Sequence, residues 1–476
     1  RLRGRRGAGR VFYINNARNT FFHHLIKEYK MSQKVLIKDI KQYKRAALDK
    51  SAVKLARNAA VRGEIINLAM DWEAFRQIDH TFSDMVSGQM PITNQKSSGR
   101  CWGFAGLNLF RIYLGRKYNL KQFEFSQNYF MFCDKLEKSN YFLESIIRCA
   151  DKPWDSRLVM HLLADPIQDG GQWHMFFNLI QKYGVVPQTE MPESFQSSKS
   201  MRMNRMIARK LREFAKTLRE SHAKGNSLKD LRMMKKDMLG DIYQILTISL
   251  GTPPEKFSWQ VRDKDKKFHR FENLTPKSFF NEHVGLDLSE YICLIDCPMS
   301  DKSYNEVYTV DYLGNVVEGD IIRYLNLPSK DLKEAAVNSI KHDHPVWFGC
   351  DVGKHFHRDL GVMDMNLFDF NLFYGMEFPM TKADRLEYGD SAMTHAMVFT
   401  GVDLDRNGKV KKWRVENSWG DKRGDKGYDI MTDSWFDEYN YEVVVHKDYL
   451  SKDLLGLYQK DPVRLPPWDP MGALAR

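Results

Sequence analysis

A polar, glycine-containing loop at residues 95–100 ends on a cysteine, Cys101, and leads directly into an apolar segment. The apolar side chains between Trp102 and Phe110 cover most sides of a helix, which predicts a buried helix that begins at the cysteine. Backbone N–H groups and the macrodipole at a helix N-terminus stabilise an anion, so this position is expected to lower the pKa of the Cys101 thiol. We therefore interpret Cys101 as a nucleophile.

A cysteine nucleophile needs a base, a group that fixes the tautomer of that base, and donors for the oxyanion that forms on the attacked carbonyl. Among fourteen histidines, His395 stands out because it opens a predicted strand, and the next predicted strand is followed directly by Asn417. Asn417 at that place can accept a hydrogen bond from the imidazole N–H, while the nearby Trp419 shields that bond from water. These residue types together predict a Cys–His catalytic pair.

Several segments are predicted to position these residues. Helices are expected at 32–50, 102–110, 126–150 and 173–183, and one continuous helix with a buried face is expected across 201–241. Strand-like segments rich in Val, Tyr, Trp and Phe occur at 306–313, 345–351, 396–404, 410–416, 427–432 and 441–445. The later strands predict an antiparallel sheet or half-barrel around His395. The tail at 465–476 contains prolines that prevent a continuous helix, so it is predicted to be an extended arm.

Composition narrows the class of protein. The 476 residues, 43% of them apolar, can fill two or three packed units. Residues 1–30 carry +7 of the net charge of +11, and the remaining charge of about +4 gives no argument for nucleic-acid binding. Six cysteines without a secretory segment fit a reducing, cytoplasmic setting. No apolar run reaches the length of about 18 residues that a membrane helix needs.

Two basic regions leave alternatives open. Residues 1–30 are rich in Arg and nearly free of acidic residues, as in a mitochondrial transit peptide, but Met31 also fits a true start, which would make 1–30 a non-native leader. The segment 201–241 carries a local charge of +7. This charge fits a solvated helix face, with a surface for nucleic acid or another acidic partner as the alternative.

Other motifs give weaker signals. No C-x-x-C or H-E-x-x-H motif occurs, so the sequence predicts neither a metal nor another cofactor. The turn at Asp169, Gly170 and Gly171 lies ahead of a predicted helix, and a double glycine lets a backbone lie flat against a bound peptide, although it is also an ordinary turn signal. A different acyl-transferring enzyme, such as a transglutaminase, would require an Asp as the third member where this chain has Asn417.

The order of Gln95, Cys101, His395 and Asn417, with Trp102 directly after the cysteine, resembles the papain superfamily of cysteine peptidases. Two features depart from its usual pattern. Ser-Gly-Arg precedes Cys101, and His395 lies about twice as far downstream as the ~130–150 residues of papain-like enzymes. Both features are found in the bleomycin hydrolase branch of that superfamily. Its sequence blocks resemble residues 91–102, 169–173, 262–266, 347–356, 393–397, 413–420 and 468–475 of this chain.

The resemblance implies a role for each candidate residue. Cys101 is implied as the thiolate nucleophile that forms an acyl-enzyme, His395 as its proton partner, and Asn417 as the group that orients His395. Gln95 is implied as an oxyanion donor alongside the backbone N–H of Cys101. The residues implied to bind substrate are Asp169, Gly170, Gly171, Trp419 and Ala475.

The same resemblance implies an α+β, papain-like two-lobed fold with a large helical insertion and a C-terminal arm that enters the active-site cleft. Residues 1–30, the basic leader, lie outside this resemblance. The segments expected in the rest of the chain are 31–185, the N-terminal segment and helical catalytic lobe with Cys101; 186–335, a largely helical insertion; 336–450, a sheet or half-barrel lobe with His395 and Asn417; and 451–476, the arm.

The bleomycin hydrolase family is known for aminopeptidase activity and for homohexamers that enclose their active sites. The resemblance therefore implies hydrolysis of N-terminal aminoacyl amides, and of bleomycin and homocysteine thiolactone. An arm that ends in a carboxylate blocks longer substrates and pairs with a free α-amino group, so the implied partners are peptides with a free N-terminus. Arg476 follows Ala475 and is interpreted as a candidate for removal by self-processing.

Overall fold

The computed structural model of the chain describes residues 34–475. The chain divides into two compact units. One unit comprises the described residues up to Met70 together with Asp369–Phe378, and the other comprises Asp71–Phe368 and the chain from Pro379 onward. Every candidate site residue belongs to the second unit. The predicted leader at 1–30 and Arg476 lie outside the described residues.

Helices account for most of the N-terminal half of the described chain. In chain order they are α1 (Ile37–Asp49), α2 (Ser51–Ala60), α3 (Ile65–Leu68), α4 (Trp72–Arg76), α5 (Cys101–Lys117), α6 (Gln127–Arg148), α7 (Arg157–Ala164), α8 (Trp173–Tyr183), α9 (Phe195–Ser198), α10 (Met201–Ala223), α11 (Leu228–Leu250), α12 (Pro276–Phe279), α13 (Ser329–Lys341), α14 (Phe370–Tyr374), α15 (Lys382–Glu387), α16 (Asp433–Tyr439) and α17 (Lys452–Tyr458). The predicted helices at 32–50, 102–110, 126–150 and 173–183 are confirmed as α1, α5, α6 and α8.

The prediction of one continuous helix across 201–241 is wrong, because the segment forms two helices, α10 and α11. The chain turns at Gly225, whose φ of +87° is a conformation that glycine adopts without steric cost. Ser227 then caps α11, since its side chain accepts a hydrogen bond from the backbone N–H of Asp230. The predicted buried face is present, with Ile207, Leu211, Phe214 and Leu218 in the core.

A twelve-stranded sheet forms the other main part of the structure. The described residues form fourteen strands, twelve of them in this sheet: β1 (Asp84–Met85), β2 (Phe257–Arg262), β3 (Phe268–Leu274), β4 (Tyr291–Ile295), β5 (Glu306–Val310), β6 (Tyr324–Asn326), β7 (Val346–Cys350), β8 (Phe356–His357), β9 (Val362–Met363), β10 (His395–Leu404), β11 (Val410–Glu416), β12 (Tyr428–Thr432), β13 (Asn440–His446) and β14 (Val463–Leu465). The order is β14-β5-β6-β4-β13-β7-β10-β11-β12-β9-β8, β1 pairs with β10, and β2 and β3 form a separate hairpin.

The predicted antiparallel sheet around His395 is confirmed. The pairs β4–β13, β13–β7, β7–β10, β10–β11 and β11–β12 are all antiparallel. The interval 186–335 contains α9–α12 and the start of α13, but also β2–β6, of which β4–β6 belong to the large sheet. The segment boundaries given above stay a prediction.

Strand β10 separates two hydrophobic cores. Ala396 and Val398 lie in one core with Cys101, Trp102 and the aromatic side chains of α5, α6 and α8. Met397 and Phe399 lie in the other core, with Trp413 and Trp435 among its members. Successive side chains of a strand point to opposite faces of the sheet, which explains this alternation. One face of β10 packs against α5. The indole N–H of Trp347 on β7 also donates to the Trp102 carbonyl at 3.2 Å, which fixes the start of α5 against the sheet.

The C-terminal tail has little regular structure, as predicted for an extended arm. After β14, which pairs in parallel with β5, the arm contains one 3₁₀ turn at Pro470–Gly472 and otherwise runs without a helix to Ala475. Among residues 34–475, no helix is long and apolar enough to cross a membrane.

Candidate active site

Cys101 is the first residue of α5 and is fully buried. The prediction of a lowered pKa for the Cys101 thiol is wrong. Burial raises the pKa of the Cys101 thiol to about 12, and the backbone N–H groups of Ala396, Trp102 and Cys101 itself offset only part of that rise. Removal of water therefore outweighs the helix N-terminus. The hydrogen bond from Ala396 brings the thiol next to the strand that begins at His395.

His395 and Asn417 are joined as the sequence predicted. The His395 Nε2 and Asn417 Oδ1 atoms are 3.0 Å apart, and both side chains are buried. Because an amide oxygen can only accept, Nε2 carries the proton and Nδ1 is left as the basic nitrogen. Burial lowers the pKa of His395 to about 4. The hydrogen bond to Asn417 has the opposite effect and offsets part of this lowering. Burial therefore disfavours the charged form of both the thiol and the imidazole.

Trp419 covers this hydrogen-bonded pair. The ring centroids of His395 and Trp419 are 4.8 Å apart, and the Arg358 guanidinium lies 5.2 Å from the Trp419 ring centroid on top of it. The indole thus keeps water from the His395–Asn417 hydrogen bond, which makes the bond stronger than an exposed one. The charge of Arg358 contributes to the lowered pKa of His395.

Sequence reasoning missed Asp429, a third partner of Asn417. The Asn417 Oδ1 also accepts the backbone N–H of Ser418 at 2.7 Å, and the Asn417 Nδ2 donates to the Asp429 carboxylate at 2.8 Å. Burial raises the pKa of Asp429 to about 7, and the hydrogen bond from Asn417 and the charge of Arg423 offset part of the rise. An acidic residue inside the apolar strand β12 was the signal that could have found it.

Gln95 lies in the same cluster. Its Nε2 donates to the Ser98 carbonyl at 2.6 Å, and its Oε1 accepts from the Ser418 hydroxyl at 2.6 Å. Its backbone N–H also donates to the Ser418 carbonyl at 2.8 Å. An amide nitrogen has two hydrogens, so one remains after the bond to Ser98. The loop before Cys101 is thereby fixed to the segment that carries Asn417.

Asp169 is a buried ionic contact beside the loop that precedes Cys101. Its carboxylate accepts from the Gly99 backbone N–H at 3.0 Å, from Asn204 at 2.7 Å and from Ser200, and it pairs with Lys135 at 2.7 Å. Burial alone would raise the pKa of Asp169, but Lys135 and the hydrogen bonds hold it well below its usual range. The residue thus stays ionised and holds the loop before Cys101 in place.

The backbone strip at Gly170 and Gly171 lies against the start of α5. The Trp102 indole N–H donates to the Asp169 carbonyl at 2.6 Å, and Lys138 donates to the Gly170 carbonyl at 2.6 Å. A Cβ atom at Gly171 would lie 2.4 Å from the Trp102 ring, so only glycine fits there. Sequence reasoning missed Lys135 and Lys138, and the signal was a pair of lysines within the largely buried helix α6.

The C-terminal arm occupies this strip. The Gly171 backbone N–H donates to the Ala475 carbonyl at 3.0 Å, the Gln172 side chain donates to the Ala473 carbonyl at 2.5 Å, and Ala475 is fully buried. Two contacts fix the arm further back. Lys302 and Asp469 form an ion pair at 3.0 Å with both side chains buried. The Arg157 guanidinium lies 4.0 Å from the Trp468 ring centroid.

The described part of the chain contains no group of three or more His, Cys, Asp or Glu side chains that could hold a metal ion. The chemistry that the cluster itself supports is acyl transfer, since it combines a thiol, an imidazole base with a fixed tautomer, and amide donors.

Comparison with known proteins shows the family of the chain. A model of the peptidase C1-like family matches residues 34–472. The chain belongs to the peptidase C1-like family. Among relatives in this family, aminopeptidase C of Listeria monocytogenes is 50% identical over 384 residues, covering 81% of this chain and 86% of the relative. The bleomycin hydrolase of Homo sapiens is 44% identical over 429 residues, covering 88% of this chain and 94% of the relative.

A solved structure supports the fold of this peptidase C1-like chain. The crystal structure of PepW from Lactobacillus rhamnosis has a TM-score of 0.91 and 45% sequence identity, and the match covers 93% of this chain and 100% of the other. The α+β, papain-like fold and the resemblance to the bleomycin hydrolase branch are therefore confirmed. The chain is a cysteine-type aminopeptidase, and its substrates are peptides.

Proposed function

We propose that this enzyme removes N-terminal residues from peptides through a thioester at Cys101, as a bleomycin hydrolase-like aminopeptidase. The observation that carries the proposal is the position of the arm. The Ala475 carbonyl accepts from Gly171, which lies against the ring of Trp102, the neighbour of the nucleophile. A peptide that extended further in that direction would have to occupy the space of the arm.

The proton shared between Cys101 and His395 defines the first step. As the Cys101 sulfur attacks the substrate carbonyl, its proton moves to Nδ1 of His395, and the Asn417 oxygen stabilises the imidazolium through Nε2. A sulfur–carbon bond forms, and the carbonyl oxygen becomes an oxyanion. His395 then gives the proton to the leaving amine as the carbon–nitrogen bond breaks. Water, deprotonated by His395, releases the acid and regenerates the thiol.

The oxyanion needs donors that are already in place before the reaction. We assign this role to the remaining Nε2 hydrogen of Gln95 and to the backbone N–H of Cys101 at the start of α5. Support for Gln95 comes from its fixed amide, whose oxygen is held by Ser418 at 2.6 Å, so that the nitrogen side faces the Cys101 loop.

The proposed substrate-binding residues divide into two kinds. Gly170 and Gly171 offer a flat backbone for a peptide, and Ala475 limits how much of the peptide lies before the cleaved bond. Asp169 acts through its neighbours, because its carboxylate is engaged with Gly99 and Lys135. Aminoacyl-coumarin substrates test this arrangement. Hydrolysis of the free amino form with little hydrolysis of the acetylated form supports it, and equal rates on both forms would contradict it.

The ion pair between Lys302 and Asp469 is expected to control the selectivity of the enzyme. Lys302→Met leaves Asp469 buried without its partner, which typically costs about 3–5 kcal/mol and can be relieved if the arm leaves its site. We expect cleavage of acetylated peptides to rise several-fold while Cys101 stays reactive. The measurement is kcat/KM for matched free and acetylated peptides.

Lys216→Met is the matched control, since Lys216 forms an exposed ion pair with Glu220 on α10. Exposed pairs contribute little, so this variant should keep the selectivity and melting temperature of the wild type. If Lys302→Met rejects acetylated peptides as strictly as Lys216→Met does, the arm is not held through Asp469.

The substrate range is proposed from the family. Relatives at 44% identity are bleomycin hydrolases. We propose that this enzyme also cleaves the amide of bleomycin and opens homocysteine thiolactone, because both reactions are acyl transfers that the same thiol can perform. Competition between each compound and an aminoacyl-coumarin substrate for the enzyme tests this, and failure of both to compete would restrict the range to peptides.

We also propose that the enzyme assembles as a homohexamer. The family resemblance supports this, and so do the exposed apolar side chains Ile37, Ile40 and Tyr43 on α1, since such residues mark contact surfaces when they lie together. Light scattering after size-exclusion chromatography is expected to give six times the chain mass of 55.8 kDa. A monomer at micromolar concentration would contradict the proposal.

A reducing compartment, the cytoplasm, is the proposed setting. All six cysteines are free and buried, so none of them forms a disulfide bond. A nucleic-acid surface on α10 and α11 stays the alternative interpretation of their basic residues. Several of these side chains form exposed ion pairs within α10, as a solvated face does.

A further inference from the structure

The catalytic asparagine has a buried acidic partner. Asp429 lies on β12 directly opposite Val415 on β11, and its carboxylate accepts the Nδ2 hydrogen of Asn417 at 2.8 Å. Its side chain is only 4% exposed, in a strand whose other buried members are Tyr428, Ile430 and Met431. Burial of an acidic side chain lowers the stability of the fold unless the side chain is paired. We therefore ask what Asp429 does for Asn417.

The backbone around Asp429 leaves just enough room for a carboxylate. Gly361 and Gly424 both have positive φ, and a Cβ atom would lie 2.7 Å from the Asp429 Oδ1 at Gly361 and 3.1 Å from it at Gly424. Both glycine N–H groups donate elsewhere, to the carbonyls of His357 and Asp359. The two glycines therefore form a close-fitting cradle, and Asp429 cannot move away from Asn417 without moving these loops.

The carboxylate fixes which end of the Asn417 amide faces His395. An ionised carboxylate only accepts hydrogen bonds, so it selects the Asn417 nitrogen and leaves the oxygen toward Nε2 of His395. A negative charge on that side also favours a positive charge on the imidazole. We propose that Asp429 is a positioning residue for the Cys101–His395 pair, which holds the Asn417 amide toward His395 and stabilises the imidazolium that forms during attack.

Protonation of Asp429 is expected to weaken both effects, because the carboxyl loses its charge and gains a donor. The charged groups that face this site are Arg423, which pairs with Asp359 at 3.5 Å, and Arg358, which lies over Trp419. With the pKa of Asp429 at about 7, that of His395 at about 4 and that of Cys101 at about 12, activity should fall as the pH drops through about 7.

The test uses Asp429→Asn, which keeps the shape and an oxygen acceptor but removes the charge. We expect kcat at pH 8 to fall about tenfold with KM unchanged. A tenfold loss corresponds to a change of one in the pKa of His395. The step in kcat/KM near pH 7 should disappear. The rate at which iodoacetamide alkylates Cys101, read by mass spectrometry of its peptide, should lose the same step.

Asp364→Asn is the matched control. Asp364 is also buried, burial also raises its pKa, and it lies within hydrogen-bonding distance of Thr432 at the end of β12 rather than of Asn417. This variant should keep the wild-type pH profile. A wild-type profile in Asp429→Asn, or loss of the step in both variants, would overturn the proposal.

The proposal rests on the function proposed above, and the two readouts separate them. If the wild type fails to hydrolyse peptides while Cys101 alkylation shows the step near pH 7 and Asp429→Asn abolishes it, the function is wrong and the role of Asp429 stands. If hydrolysis proceeds and neither readout responds to Asp429→Asn, only the role of Asp429 is overturned.

Discussion

Replacing Cys101 with alanine is expected to reduce kcat/KM for aminoacyl-coumarin substrates by about 10⁴-fold or more, the typical loss when a covalent nucleophile is removed. The reason is structural as well as chemical. Cys101 lies at the start of α5, where its thiol accepts a hydrogen bond from the backbone N–H of Ala396. No other cysteine of the described chain lies at this position. The measurement is the hydrolysis rate at saturating and limiting substrate.

Cys149→Ala provides the matched control. Cys149 is also a free, buried cysteine, but it lies at the end of α6 and hydrogen-bonds to the Ile146 carbonyl. We expect wild-type kcat and KM from this variant, with a small loss of stability from the missing sulfur. Full activity in Cys101→Ala would contradict the assignment of the nucleophile.

Truncation after Pro470 is expected to change the type of peptidase. It removes Ala473 and Ala475, whose carbonyls accept hydrogen bonds from Gln172 and Gly171. The strip beside Trp102 is therefore opened. A peptide can then extend in both directions from the cleaved bond. Acetylated peptides, which the wild type should reject, are expected to be cleaved internally at a rate at least about tenfold above the wild type, since an occluding contact then no longer discriminates between the substrates.

The products distinguish this outcome from simple damage. Mass spectrometry of the digests should show single amino acids released by the wild type and internal fragments released by the truncated enzyme. Cys101 alkylation reports whether the truncated enzyme keeps its reactive site. A truncated enzyme with a reactive Cys101 that still releases only N-terminal residues would show that the arm does not set the selectivity.

The core of the site could be predicted from the sequence because its signals are local. Cys101 follows a loop and opens an apolar helix, His395 opens a strand, and Asn417 directly follows the next strand. Adjacent strands in an antiparallel sheet bring such strand ends together, and β10 and β11 are paired in this way.

The partners in the supporting contacts were not predicted, because the sequence does not show which of the charged side chains meet. Lys302 pairs with Asp469, Lys135 with Asp169, and Asp429 accepts from Asn417. Nothing in the spacing of a lysine and an aspartate shows that they will meet. Only the burial of a charged residue within an apolar segment hints that it has a partner.

Two predictions failed for identifiable physical reasons. The helix across 201–241 ends near Gly225, where a positive φ and the Ser227 cap of the next helix outweigh the continuing apolar period. The Cys101 thiol was expected to have a low pKa from its helix position, but complete burial raises the pKa. Periodicity and helix position describe single elements, whereas desolvation depends on everything packed around them.

The most direct test of the proposed mechanism is to trap the covalent intermediate. The enzyme is mixed with a tripeptide that has a free N-terminus, quenched with acid during turnover, and digested for mass spectrometry. If the proposed mechanism is right, the peptide containing Cys101 gains the mass of one aminoacyl group, attached as a thioester. An acyl group of two or more residues on Cys101, or an acyl group on another side chain, would contradict it.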